Sequence, residues 1–278
     1  MARTDALGML DATTGKAKLA EAYGTMIESI QKSALSVQLK TNRYVGDPTT
    51  GSVEVARFNN SAAKTYGTAR AAGEGDALHN VPVTINLNTN KEIIEEVENK
   101  DAKLGTVAGI VAARTADHNK TVIRDLDTAF FTAITDIAGA EFTATTTEGD
   151  FEGQLEELVQ SIETLSNDNV DGVDRDMMTV TLKPAIYGAL RTKFDTIIGQ
   201  GGESFTAYHG VRIESNTRQT KDFVLIVSGS VAQPVVINSY TPSRIPQSDA
   251  ASIDLFYYYG TKVVAEDLVA WSTASVIA

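Results

Sequence analysis

Residues 50–89, TGSVEVARFNNSAAKTYGTARAAGEGDALHNVPVTINLNT, decide how this chain reads. Val53 and Val55 alternate with polar neighbours, a polar crest with several glycines runs from Thr65 to Asp76, and Val81, Val83, Ile85 and Leu87 return with the same period of two. That period marks a half-buried strand, so the stretch predicts a long two-stranded hairpin. A hairpin with so little apolar mass is marginal alone in water and needs another surface to lie on. A largely helical run to about Gly139 follows it directly. A protruding arm joined to a stiff rod suits a subunit that interlocks with copies of itself better than a chain wrapped around a substrate.

On the N-terminal side, Leu19, Tyr23, Met26, Ile27 and Ile30 give residues 17–38 the apolar stripe of an arm helix. Asn42 to Gly51 carries Asn, Gly, Asp and Pro and reads as a connection. On the C-terminal side, Thr89 and Glu92 have capping-box spacing before Ile93, Ile94 and Val97, which predicts a helix start. Gly105 interrupts or bends it. Apolar positions then recur at Val107, Val111, Val122, Leu126, Ala129, Ala133 and Ile137, and a helix over 105–137 would be roughly 50 Å long. Such a helix needs support along its length.

Beyond the polar turn at Thr143–Asp150, Phe151, Leu155, Leu158, Val159, Ile162 and Leu165 trace another amphipathic helix. Met177–Leu182 predicts a strand, and Pro184 opens a helix, since proline fits a first helical turn. Gly199–Glu203 predicts a flexible loop. Strands are expected at 210–215, 222–228 and 234–239, and a longer one at Ile253–Tyr259 that pairs with Lys262–Glu266. The Pro-rich stretch Ser239–Ala251 carries the chain between lobes, and Leu268–Ile277 closes a sheet.

Composition bounds the rest. The chain has 278 residues, 42% of them hydrophobic, enough for one sizeable core or two lobes. With no cysteine, disulfides, thiolate metal sites and cysteine nucleophiles are excluded. The N-terminus does not resemble a secretory signal, and no apolar run reaches the length of a membrane span, so a soluble protein without a membrane partner is expected. A net charge of −12 argues against a surface that wraps DNA.

These pieces, in this order, resemble the major capsid proteins of tailed bacteriophages. The likeness rests on PVTINLNTNKEIIEEVENKDAKL (82–104), GTVAGIVAARTADHN (105–119), MMTVTLKPAIYGALRTKF (177–194), GVRIESN (210–216) and SRIPQSDAASIDLFYYYGTKVVAEDLVAW (243–271). It implies an α+β capsid fold with an N-terminal arm (1–49), an extended hairpin loop (50–89), a peripheral domain with a long spine helix (90–176), an axial domain (177–240) and a return to the peripheral sheet with the C-terminal segment (241–278). The implied function is noncovalent self-assembly into pentamers and hexamers of an icosahedral shell enclosing double-stranded DNA without sequence-specific binding. A separate scaffolding protein, a portal protein and a decoration protein are the implied partners, and the virion, assembled in the bacterial cytoplasm, the location. Arg57, Lys64, Arg70, Glu74, Asp76 and Arg244 are the candidate intersubunit contacts, and Gly67, Gly73, Gly75 and Gly105 the candidate hinges. A covalent link at Lys64 is a weaker reading than a salt bridge.

No catalytic residue, cofactor or metal is expected. His79, His118 and His209 form no HExxH or short metal-binding pair. Glu95–Glu96 and Glu156–Glu157 are sequence neighbours whose side chains diverge by about 100° on a helix and make no acid/base pair. Asp168, Asp171, Asp174 and Asp176 lack calcium-loop spacing. GQGG at 199–202 has no following Lys-Ser or Lys-Thr, and IVSGS around Ser228 is not a hydrolase elbow. Tyr257, Tyr258 and Tyr259 alternate across a strand without interleaved basic residues, which favours structure over base stacking. The competing classes are a phage tail-tube or head-decoration protein, which a long helix followed by a mixed lobe disfavours, and an enzyme.

Overall fold

The protein is described by a computed structural model covering residues 10, 12–60, 65–67, 80–98, 107–147, 149–198, 206–248 and 250–274. Among the described residues α1 spans Thr13–Ser33, with Leu19, Met26 and Ile30 buried on one face. Extended backbone at Ala34 ends it, and the short α2 (Leu35–Leu39) follows. Pro48 then starts a single 3-10 turn in the predicted connection, with the Asp47 side chain accepting from Thr49 N at 2.9 Å.

The hairpin is β1 (Ser52–Phe58) and β2 (Asn80–Asn86), paired antiparallel from Ser52↔Asn86 to Phe58↔Asn80. Val53, Val55 and Ile85 are buried against Ala232, with Tyr44 and Val264 packed around them. The predicted hinges Gly73, Gly75 and Gly105 lie outside the described residues, and Gly67 has φ 92°.

The capping-box reading of Thr89 fails. Thr89–Glu98 is a strand, β3, because ten residues of antiparallel partner are available elsewhere in the chain. That partner is β11, introduced below, and its ladder outweighs a local helix-start signal of about 1 kcal/mol. After β3 comes the long helix α2's neighbour in space, α3 (Val107–Thr135), 29 residues and roughly 43 Å long. Then follow α4 (Phe151–Glu163), β4 (Met178–Leu182) and α5 (Pro184–Ile198). The remaining strands are β5 (Ala207–Tyr208), β6 (Val211–Ser215), β7 (Phe223–Val227), β8 (Val231–Ala232), β9 (Val235–Ile237), β10 (Thr241–Arg244), β11 (Ala250–Tyr259), β12 (Lys262–Val263) and β13 (Val269–Ser272).

Two larger sheets organise these elements. One runs β10-β11-β3, with β9 also on β11. Its Ile253, Leu255, Tyr257 and Tyr259 pack with Leu19, Met26 and Ile30 of α1 and Val122 and Leu126 of α3. The other runs β13-β7-β4-β6-β5, with β4 and β6 parallel across the α5 connection. Every residue of β7 is buried, and its alternation divides them. Phe223, Leu225 and Val227 pack among residues of α4 and α5, whereas Val224 and Ile226 pack with Phe130, Phe131 and Ile134 of α3. The long helix therefore braces both sheets, one through Val122 and Leu126 and the other through Phe130, Phe131 and Ile134 further along.

The predicted pairing of Lys262–Glu266 with Ile253–Tyr259 does not form. Along Tyr257–Tyr259 both edges of β11 are taken, by β3 and β9, so β12 pairs instead with β8. The C-terminal strand closes a sheet as expected, with Val269↔Ile226 through Ser272↔Phe223.

Candidate functional site

The projecting hairpin is the candidate site, and its root is fixed by side chains far away in sequence. Val53, Val55 and Arg57 share one face of β1, opposite Ile85, Val83 and Val81 of β2. Burial on that face falls away from the body: Val53 is 1% exposed, Val55 6% and Val81 64%. The apolar stripe thus continues past the surface that the described residues supply, and Phe58 on the opposite face is also exposed.

Where the stripe leaves the body, Arg57 Nη2 donates to Asp267 Oδ2 at 2.6 Å. Asn167 Nδ2 donates to the same oxygen at 2.7 Å. The main chain adds a tie from Asn60 N to Asp168 O at 2.9 Å. Arg57, Asn167, Asp168 and Asp267 line an open cleft of about 580 Å³ together with Lys262 and Glu266. Burial raises the Asp267 carboxyl, but the bonds from Arg57 and Asn167 outweigh it and hold the group below the usual carboxylate range. Asp267 and Asn167 were not legible as partners of Arg57, since 210 and 110 positions of chain separate them from it and no local pattern links them.

Among the other candidate contacts, Arg244 is exposed at the end of β10, opposite Ala251. Lys64, Arg70, Glu74 and Asp76 lie outside the described residues, as does His79.

A second polar cluster joins α3 to β3. Arg114 clamps the Glu95 carboxylate through Nε and Nη2, and His118 Nε2 lies 3.1 Å from Glu95 Oε1. The Arg114 bonds draw Glu95 below the usual range against the opposing effect of burial. His118 is buried, and its Nδ1 lies 3.0 Å from the Tyr240 hydroxyl. Burial pushes that phenol up to about 12. The histidine is a packed contact between helix and sheet, and among the described residues no metal-ligand set stands beside it.

The acidic residues are likewise structural. Glu156 and Glu163 both bind the Arg175 guanidinium, at 2.7 and 2.8 Å. Ser166 Oγ donates to Asp171 at 3.2 Å, and among the described residues no group of three or more His, Cys, Asp or Glu could hold a metal ion. His209 sits in a turn with φ 44°, followed by Gly210 with φ 92°. Tyr257 and Tyr259 are buried, and the Tyr257 hydroxyl donates to Asp125 at 2.8 Å, while Tyr258 receives a bond from Asn238. Gly199–Gly202 lies outside the described residues. Among those described, no helix is long and apolar enough to cross a membrane.

Neither a protein-family description nor a curated protein matches the chain. Solved structures do. A chain from Mycobacterium phage Che8 superposes with a TM-score of 0.61 at 19% identity, over 86% of this chain and 91% of that one. The capsid structure of the cyanophage P-SCSP1u gives 0.56 at 13%, over 86% and 87%. A virus-like particle from Pyrococcus furiosus gives 0.58 at 13%, over 91% and 98%. The chain has an α+β fold that it shares, over most of its length, with these phage and virus-like-particle structures.

Proposed function

We propose that this chain is a major capsid subunit of the tailed-bacteriophage kind, which assembles without covalent links into hexamers and pentamers of a closed icosahedral shell. The observation that carries the reading is the extent of the fold similarity, which spans most of both chains for phage structures and for a virus-like particle alike. A likeness confined to one sheet would not support it. In this reading β1 and β2 form the extended loop that crosses a neighbour, α3 is the spine of the peripheral domain, and 177–240 supply the axial domain.

The hairpin's exposed apolar end fits that role, since Phe58 and Val81 have no cover among the described residues of their own chain. Lys64, Arg70, Glu74, Asp76 and Arg244 are proposed to face neighbouring subunits. Arg57 already holds Asp267 within its own chain, and its part is to set the angle at which the loop leaves the body. Double-stranded DNA is the proposed content, kept from adhering by the net negative charge, with the virion as the location and the bacterial cytoplasm as the place of assembly. A separate scaffolding protein, a portal protein and a decoration protein complete the proposed set of partners.

Analytical sedimentation with electron microscopy tests this. The full chain, alone and with a co-expressed scaffolding protein, is expected to give closed shells or five- and six-membered rings. A compact monomer under both conditions would refute the shell reading and return the chain to the decoration or tail-tube class.

A further inference from the structure

The sheet β10-β11-β3 ends in two unlike edges. Asn238 N donates to Phe256 O and Gly260 N to Pro234 O, so even-numbered residues of β11 direct their amides and carbonyls toward β9. The odd-numbered ones, Ala251 to Tyr259, therefore face β3, opposite Val97 to Thr89. It follows that Asn90, Glu92, Ile94 and Glu96 of β3 direct theirs outward, away from the sheet. Among the described residues nothing pairs with that edge. The opposite edge, β10, is only four residues long, and by the same alternation Pro242, which has no N–H, faces outward there. One edge is blunted and the other is open over most of a ten-residue strand.

The open edge also carries a charge pattern. The side chains of Asn90, Glu92, Ile94 and Glu96 lie on one face and are exposed, Ile94 by 53%. A second copy of β3 laid antiparallel about Ile94 would set Glu92 against Glu96 twice, and in parallel register each glutamate would meet its twin. Like charges directly opposed destabilise a strand pair. The same glutamates that reject a second β3 would favour a strand with lysine or arginine at those places.

We propose that the outer edge of β3 takes up an extended, lysine- or arginine-bearing segment of a separate polypeptide as an added strand, with main-chain bonds at Asn90, Glu92, Ile94 and Glu96 and charge pairing at Glu92 and Glu96. The surface belongs to the single chain, so the proposal goes beyond the shell reading and stands or falls apart from it.

The test uses the full chain in its unassembled state and a ten-residue alternating threonine–lysine peptide. Residue-resolved amide exchange is expected to slow at least tenfold at Asn90, Glu92, Ile94 and Glu96 on peptide addition. An alternating threonine–glutamate peptide, and a threonine–lysine peptide interrupted by proline, should leave it unchanged. Fluorescence anisotropy should report at least tenfold weaker binding by the doubly substituted Glu92→Gln, Glu96→Gln chain, and several-fold weakening of the original pair by added salt should agree with it if that variant misfolds. Equal binding of the proline-interrupted peptide would reduce the effect to bulk charge and overturn the proposal. Slow exchange at these amides in the peptide-free chain, or on self-assembly alone, would assign the edge to this chain or a second copy and overturn it as well.

Discussion

Arg57 of the hairpin and Asp267 near the C-terminal strand, 210 residues apart in sequence, meet at 2.6 Å with both side chains about three-quarters buried. The contact lies where the apolar underside of the hairpin runs out. Inward of it, Val53, Val55 and Ile85 hold the strands by burial, and outward of it no described residue of the chain covers Val81. Asp267 Oδ1 is enclosed and has no hydrogen-bond partner, so the carboxylate depends on the bonds that Arg57 and Asn167 make to Oδ2.

Arg57→Ala should therefore cost more than a surface pair would. Removing one partner of a mostly buried charge leaves the other undercompensated, and a loss of roughly 1–3 kcal/mol is expected. Urea unfolding measures it. The double variant with Asp267→Asn should recover part of the loss, and additive losses would mean that the two groups do not depend on each other.

Gly260 holds the return strand of the hairpin against the body from the other side. A Cβ there would lie 2.1 Å from Asn86 O and 2.8 Å from its carbonyl carbon, and both are backbone atoms that cannot rotate away. Gly260→Ala should destabilise by about 1–3 kcal/mol, as overpacking does, and should displace Asn86 and Leu87. Thermal unfolding together with amide shifts confined to β2 would agree. An unchanged melting temperature would mean that the two segments separate freely.

Much of this fold is legible in the sequence, and the failures have a common cause. Period-two alternation located β1 and β2, and the 3.6-residue period located α1, α3 and α4, because each of those elements buries a face of its own local pattern. Thr89–Glu98 reads locally as a helix start because Thr89 and Glu92 mimic a cap, while the strand that pairs with it, β11, lies more than 150 residues later. The pairing of β12 is hidden for the same reason, since β9 and β3 fill the edges of β11 along Tyr257–Tyr259. Arg57 reads from the sequence as an intersubunit contact, and its partner within the chain leaves no local signal, since Asp267 sits in an ordinary Glu-Asp-Leu turn. The candidate site is thus a product of long-range pairing, of which periodicity carries no trace.

The long helix gives a sharper test of how the two sheets are joined. Phe130 is fully buried and packs with Val224, Ile226 and Trp271 on the face of the five-stranded sheet turned toward α3. Phe130→Ala should cost about 3–5 kcal/mol. Because α3 also packs with α1 and the β3-bearing sheet, calorimetry is expected to show one broadened transition moved down as a whole. Two separate transitions, only one of them shifted, would mean that the helix does not couple the lobes.

Acid should weaken the fold through carboxylates held by arginine. Hydrogen bonds from Arg114 lower Glu95, those from Arg175 lower Glu156, and those from Arg57 and Asn167 lower Asp267 against its burial. Each folded-state value lies below its unfolded one, near 4, so each group contributes stability that is complete above that value and is lost as pH falls through the depressed one. Urea midpoints should stay level from pH 7 to about 5 and drop below about pH 4. Arg175→Ala should lower the midpoint at pH 7 and flatten the acid slope, because Glu156 would then titrate more nearly as it does in the unfolded chain. A steep loss between pH 7 and 5 would instead place the controlling group near neutrality and remove these three carboxylates from the account.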